Sequence, residues 1–326
     1  MRSLTVRRIV PLGLVVLLGT ACNAATGGAG DWTAGEEATL RVGATNPTSS
    51  SYTISVGHKD LAENAIDGLT YELTGTQGGP EGMELLKSDE VQVAVANNAS
   101  AFPEYSDGGR DTIRSLFPLY TVELAPVILN NDTDASNFTE LLGGTIATGP
   151  VGSSLEVGLR EVLEGLDGSE DDFRTVLKAS PEDGVSALVA GRVDAAWIAT
   201  AHPTSQLMEL RASRDDMDFV DFTPEQIEQI SEQFPYYFAS EISADTYDTP
   251  RDISALGSTA GLFVRADVSD DLVYELVKAW WESREELAVI HPSQENLDEE
   301  VVRRQGESIE YHPGAQRYFE EIGVLS

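Results

Sequence analysis

The chain is poor in the residues that most metal and redox chemistry uses: among 326 residues there are one cysteine and four histidines. A disulfide framework is therefore excluded, and neither C-x-x-C nor H-E-x-x-H spacing occurs, so no metal and no cofactor is expected. Positive charge is scarce as well. Against 21 Lys and Arg stand 55 Asp and Glu, a formal charge of −34, and no basic stretch is interleaved with aromatics, which removes nucleic acid as a partner. After Leu18 no apolar run is long enough to cross a bilayer. The strained G-x-S-x-G elbow is missing, and His202, His291 and His312 each precede proline, which biases them to extended turns. The chain is not expected to be an enzyme.

What is present begins with an address. Arg2, Arg7 and Arg8 form a basic start, Ile9 to Leu18 is apolar, and small residues lead to Cys22, the pattern of an export signal over residues 1–21. Cys22 follows Gly19-Thr20-Ala21, which resembles a bacterial lipobox. That resemblance implies lipidation at Cys22 and a protein held at the outer face of the cell membrane by its lipid. Residues 22–38, rich in Gly, Ala and Thr, read as a flexible tether.

From Leu40 onward short β-rich runs alternate with helical patterns, which predicts an α/β fold with largely parallel sheets. Strands are expected at 40–45, 70–76, 91–97, 145–148, 173–177 and 193–199, and helices at 52–66, 80–87, 154–166 and 182–190. The longest helix is expected over Asp270 to Ile290, with Ser269 as N-cap and Trp280 facing the core. Two strand–helix series and a terminal return suggest two lobes, one inserted in the other: residues 39–125 and 245–326 form lobe I, and 126–244 form lobe II. Crossings are expected near 122–130 and 238–246. This is a type II periplasmic-binding-protein-like plan, with ligand between the lobes at strand C-terminal ends and a hinge for closure.

Candidate ligand contacts cluster in strand-end loops. Thr148 to Ser154 follows a strand and opens a helix, so the N–H groups near Gly149, Gly152, Ser153 and Ser154 could hold a carboxylate without a basic side chain. Ser153 and Glu156 also have capping-box spacing, which would satisfy the helix from within. The other loops supply Ser51 and Tyr52, Gln77 and Gly78, Asn97, and Thr200 with His202. Basic residues from elsewhere, such as Lys59, Lys178 or Arg251, form the competing cationic clamp.

Seven motifs in order resemble the solute receptors of the TAXI type. They are Leu40-Arg41-Val42-Gly43 with Ser51-Tyr52, then Gly78 to Leu86, Gly149 to Ser153, Val193 to Trp197, Phe234 to Tyr237, Asp270 to Ala279, and Tyr311 to Ala315. Asn46, Pro47 and serines stand where that family usually carries glycines, and Ser51 stands in place of its first loop tyrosine. The resemblance implies a receptor that captures a small polar or anionic solute, an amino acid or organic acid. It would deliver that solute to the permease subunits of a TRAP transporter. Two other readings stay open: an ABC-type receptor for a vitamin precursor or sulfonate, and a secreted hydrolase.

Overall fold

A computed structural model describes residues 29–47, 49–295 and 297–326. The export signal, Cys22 and the first part of the tether lie outside the described residues. Within residues 29–37, expected as part of the tether, Ala29 and Trp32 are buried in the first core. Trp32 is buried, its indole N–H donates to the Glu36 carbonyl, and the Ser269 hydroxyl donates to the Trp32 carbonyl.

The first strand–helix series is β1 (Ala38–Ala44), α1 (Ser50–Ala65), β2 (Leu69–Gly75), α2 (Gly79–Lys87), β3 (Val93–Asn97) and α3 (Asn98–Glu104). The long β4 (Ile113–Leu129) leads into β5 (Thr145–Thr148), α4 (Ser154–Gly165), β6 (Thr175–Lys178), α5 (Pro181–Val189), β7 (Ala195–Thr200) and α6 (Ser205–Ser213). Then come β8 (Met217–Phe219), α7 (Pro224–Gln233), β9 (Phe238–Ile242), α8 (Ala244–Tyr247) and the long β10 (Ile253–Arg265). Helices α9 (Asp270–Glu282), α10 (Arg284–Ile290), α11 (Glu299–Ser308) and α12 (Pro313–Glu321) close the chain. The helix expected over 270–290 is thus two helices that meet at Ser283.

One sheet in the order β2-β1-β3-β10-β4-β7-β5-β6 runs through the molecule, with β8 on β4 and β9 on β10. Two antiparallel neighbours, β4 and β10, cross from one half to the other. Leu116, Phe117 and Leu119 of β4 pack in the core around β1 to β3, α1, α9 and α12, whereas Leu124 to Leu129 pack in the two cores of the other half. Ile253 and Ala255 of β10 belong to that second half, while Leu262 and Val264 belong to the first. The return crossing, expected near 238–246, therefore lies within β10, where Ser258, Thr259 and Ala260 pair with Val122, Thr121 and Tyr120.

The last two of the seven motifs, Asp270 to Ala279 and Tyr311 to Ala315, meet each other in the first half. Gly314 sits where α12 crosses α9, and a Cβ there would lie 2.1 Å from the Asp270 carbonyl oxygen. Only glycine allows that approach. Arg317 then pairs with Asp271 at 2.8 Å and lies over the Tyr274 ring, and the buried His312 caps α12 by accepting from the Gly314 N–H. These motifs hold a helix crossing, not a ligand. Gly314→Ala must push α12 off α9, and a loss of about 1–3 kcal/mol is expected in urea unfolding. A loss within error would show that the crossing relaxes freely.

Candidate functional site

Between the halves lies a cavity of about 510 Å³. The C-terminal ends of β1, β3 and β7 open onto it, and so do the first turns of α1, α2, α4 and α6, represented by Ser51, Gly79, Ser154 and Ser205. Parallel pairing of β1 with β2 and β3, and of β5 with β6 and β7, gathers each half's strand-to-helix turns at one end of its strands. The two sets point head to head at the crossing, where Asn97 of β3 lies opposite Ala260 and Thr200 of β7 opposite Glu123. The first N–H groups of each helix lack intrahelical partners and carry the positive end of its dipole. Four such termini therefore face one space.

Among the described residues, no Asp, Glu, Lys or Arg lines the cavity. Its polar groups are neutral and held in place by local bonds. Ser49 caps α1: its hydroxyl accepts from the Tyr52 N–H, donates to the Asn46 carbonyl and lies 2.7 Å from the Thr45 hydroxyl. Ser51 and Tyr120 share a 2.8 Å hydrogen bond that ties α1 to the crossing strand β4. The Asn97 carboxamide oxygen accepts from the Ser100 N–H, which leaves its NH₂ group as a donor. Thr204 caps α6 by accepting from the Leu207 N–H. His291, after α10, accepts the Ser293 N–H at Nδ1, so in the neutral ring the proton sits on Nε2. Burial holds its pKa below the usual histidine range.

Of the residues expected to bind, Ser51, Gln77, Gly78, Asn97, Ser154 and Thr200 line this cavity, and Tyr52, Gly149, Gly152, Ser153 and His202 do not. The capping alternative accounts for the Gly149 to Ser153 loop. The Gly152 N–H donates to Glu156 Oε2 at 2.5 Å, the Ser153 hydroxyl accepts from the Glu156 N–H, and the Ser153 N–H donates to the Pro150 carbonyl. Glu156 is buried and also pairs with Lys178 at 3.0 Å. The Gly152 N–H, then Lys178, hold its carboxyl below the usual range. Gly152 has a φ of +80°, which favours glycine. A carboxylate of the protein already occupies the place expected for a ligand carboxylate.

The three basic residues named for a cationic clamp each have a partner within the protein. Lys59 binds Glu63 and the Tyr71 carbonyl, Lys178 binds Glu156 and Glu170, and Arg251 binds Asp221. Tyr120, His291, Ser293 and Ser205 escaped the sequence reading. Ser205 alone carried a signal, as N1 after a Thr N-cap; Tyr120 comes from mid-strand and His291 from a helix C-terminus.

The fold is that of the two-lobed periplasmic binding proteins. XAC2383 from Xanthomonas citri bound to ATP superposes with a TM-score of 0.51 at 13% identity, over 87% of this chain and 99% of that one. The periplasmic sulfonate-binding protein SsuA from Methylobacillus flagellatus KT gives 0.49 at 14%, over 89% and 88%. The GluR0 ligand-binding core from Nostoc punctiforme in complex with L-glutamate gives 0.46 at 16%, over 79% and 96%. Residues 42–323 match the NMT1-like family, and the chain belongs to that family.

Proposed function

We propose that this chain is an extracytoplasmic receptor that captures a small polar or anionic solute and delivers it to a membrane transporter. The observation that supports the reading is the convergence of four helix N-termini on a cavity whose described lining carries no carboxylate, in a protein of formal charge −34. Those of α1 and α6 have no acid in the first turn, whereas Glu81 and Glu156 already accept the Gln77 and Gly152 N–H groups at α2 and α4. An anion there gains charge-assisted bonds from backbone N–H and neutral side-chain donors at short range. The acidic exterior acts at longer range and is screened within about 10 Å at 0.1 M salt.

A carboxylate placed on a lining helix terminus should compete with the solute without harming the helix. Ser205→Asp puts an acid at N1 of α6, where acids favour the helix. We expect thermal-shift screening against carboxylates, sulfonates and amino acids to find an anion that stabilises the protein. Ser205→Asp should weaken that anion's binding at least about tenfold, the equivalent of about 1.4 kcal/mol, with the ligand-free melting temperature unchanged or higher. Equal affinity in the variant would refute the helix-terminus reading.

The order of the seven motifs supports a TRAP permease as the receiving partner. The sulfonate-binding protein from Methylobacillus flagellatus KT is named for ABC transport, and that supports an ABC permease as the alternative. Uptake by cells carrying receptor and permease separates the two, since collapse of the ion gradient stops the first and depletion of ATP the second. The lipobox resemblance supports anchoring through Cys22, and mature Cys22→Ser protein that still fractionates with membranes would remove it.

A further inference from the structure

A second cavity of about 540 Å³ adjoins the first across the shared walls Tyr120, Ala201 and Ser293. Its lining is of opposite character, with Glu123, Glu241, Asp298 and Glu300 accompanied by Arg304. We propose that the solute carries an ammonium group at the end opposite its anionic group, and that Glu123 in the second cavity receives it; this rests on the receptor reading above.

Glu123 projects from β4 at the crossing between the halves. No ion pair among the described residues includes it; its carboxyl meets the Ser240 hydroxyl at 3.5 Å and backbone N–H groups, that of His202 among them. Arg304 is committed elsewhere: it pairs with Glu300 and Glu307 and lies 4.9 Å over the Phe238 ring. His202 lines the same space, with Nδ1 2.7 Å from the Tyr247 hydroxyl and a buried Nε2 that has no partner. A carboxyl outside any ion pair and a further fringe of acids make this a cation's end of the cleft. The first cavity supplies only neutral groups and helix termini. A solute with one charge of each sign, such as an ω-amino carboxylate, satisfies both ends.

The empty site should also register the cation through a proton. Burial pushes Glu123 up to about 8, against weaker opposing hydrogen bonds, so at neutral pH its carboxyl is protonated until a cation displaces the proton. Tyr120, His202, Glu241, Asp298, Glu300 and Arg304 are the other titratable groups facing the cavity. His202 is held down to about 4 by its own burial and stays neutral.

Three probes of equal chain length test the proposal: butyrate, butylammonium and 4-aminobutyrate, each followed by thermal shift and by calorimetry in buffers of different ionisation enthalpy. We expect 4-aminobutyrate to bind at least tenfold more tightly than butyrate and, at pH 7, to release about nine-tenths of a proton per molecule bound, as a group titrating near 8 requires. Glu123→Gln should abolish both the preference and the proton release while the response to butyrate survives. The proton count is made on the wild-type chain, so it stands even if the variant does not fold. Equal binding of 4-aminobutyrate and butyrate, or proton release that persists in Glu123→Gln, overturns the proposal. If the anion screen above finds a ligand and neither amine binds, this proposal fails and the receptor reading stands. If no probe in either set binds, both fail.

Discussion

Trp280→Ala is expected to cost about 3–5 kcal/mol, the range for truncating a fully buried aromatic side chain. Trp280 is 0% exposed and lies at the centre of the first half's core. Its ring meets those of His58 at 5.0 Å, Phe117 at 5.5 Å and Tyr71 at 6.5 Å, each edge to face. Its indole N–H donates to the His58 carbonyl at 2.9 Å, so truncation leaves a cavity and also a buried carbonyl without that donor. Domains of this kind are stable by only about 5–15 kcal/mol, so the variant should lose a large fraction of the folded state's margin. Urea unfolding followed by circular dichroism measures it. Trp280→Phe keeps an aromatic ring and forfeits the hydrogen bond, and should fall between the variant and wild type. If Trp280→Ala loses less than about 1 kcal/mol, well below the usual range for such a truncation, α9 is not the keystone of that core.

That residue was legible from sequence, because Leu272, Val273, Leu276, Val277 and Trp280 repeat at helical spacing behind a Ser N-cap, and all five are buried. The parallel strands were legible for the same kind of reason: each is a short apolar run followed by a polar turn and an amphipathic helix. β4 was not. Its sequence holds Pro118 and Pro126, and proline argues against a central strand because it removes a donor from the ladder. The structure accommodates Pro118 opposite Gly261 at a register shift between Ala260 and Gly261, while the Pro126 carbonyl accepts from the Val220 N–H. Missing β4 hid Tyr120, a wall common to both cavities, and misplaced the return crossing. The loop at Gly149 to Ser154 illustrates a different limit. Sequence could show that its N–H groups need acceptors, but whether a solute or Glu156 supplies them depends on a rotamer fixed by Lys178, distant in sequence and brought close by β6.

The second large effect is in stability against pH, where the buried His58 and the half-buried His202 and Glu123 pull in opposite directions. His58 is enclosed by Phe117 and Trp280, its Nδ1–H donates to the Ile54 carbonyl, and its Nε2 is buried without a partner. Burial lowers its pKa to about 4, and burial does the same to His202. Between about 6.5 and 4 the unfolded chain takes up protons on both rings that the folded chain refuses, so stability falls as pH falls through that window. Each histidine should remove about 2 kcal/mol between pH 6.5 and 4.5. Glu123 has the opposite sign: its folded pKa is raised from 4.5 to about 8. Its contribution is complete below 4.5 and is lost as pH rises through 8, so it offsets part of the acid loss and creates an alkaline one. Wild-type stability should therefore peak near neutrality and decline on both sides. Glu123→Gln, which cannot ionise, should fall more steeply than wild type below pH 6.5 and stay level above pH 7, so that the two curves separate as pH rises. Urea unfolding of both proteins from pH 4.5 to 8.5 reads this directly. Parallel curves would mean that Glu123 titrates alike in the folded and unfolded chains. The unpaired carboxyl at the crossing strands would then be no reservoir for a proton, or for the cation proposed to replace it.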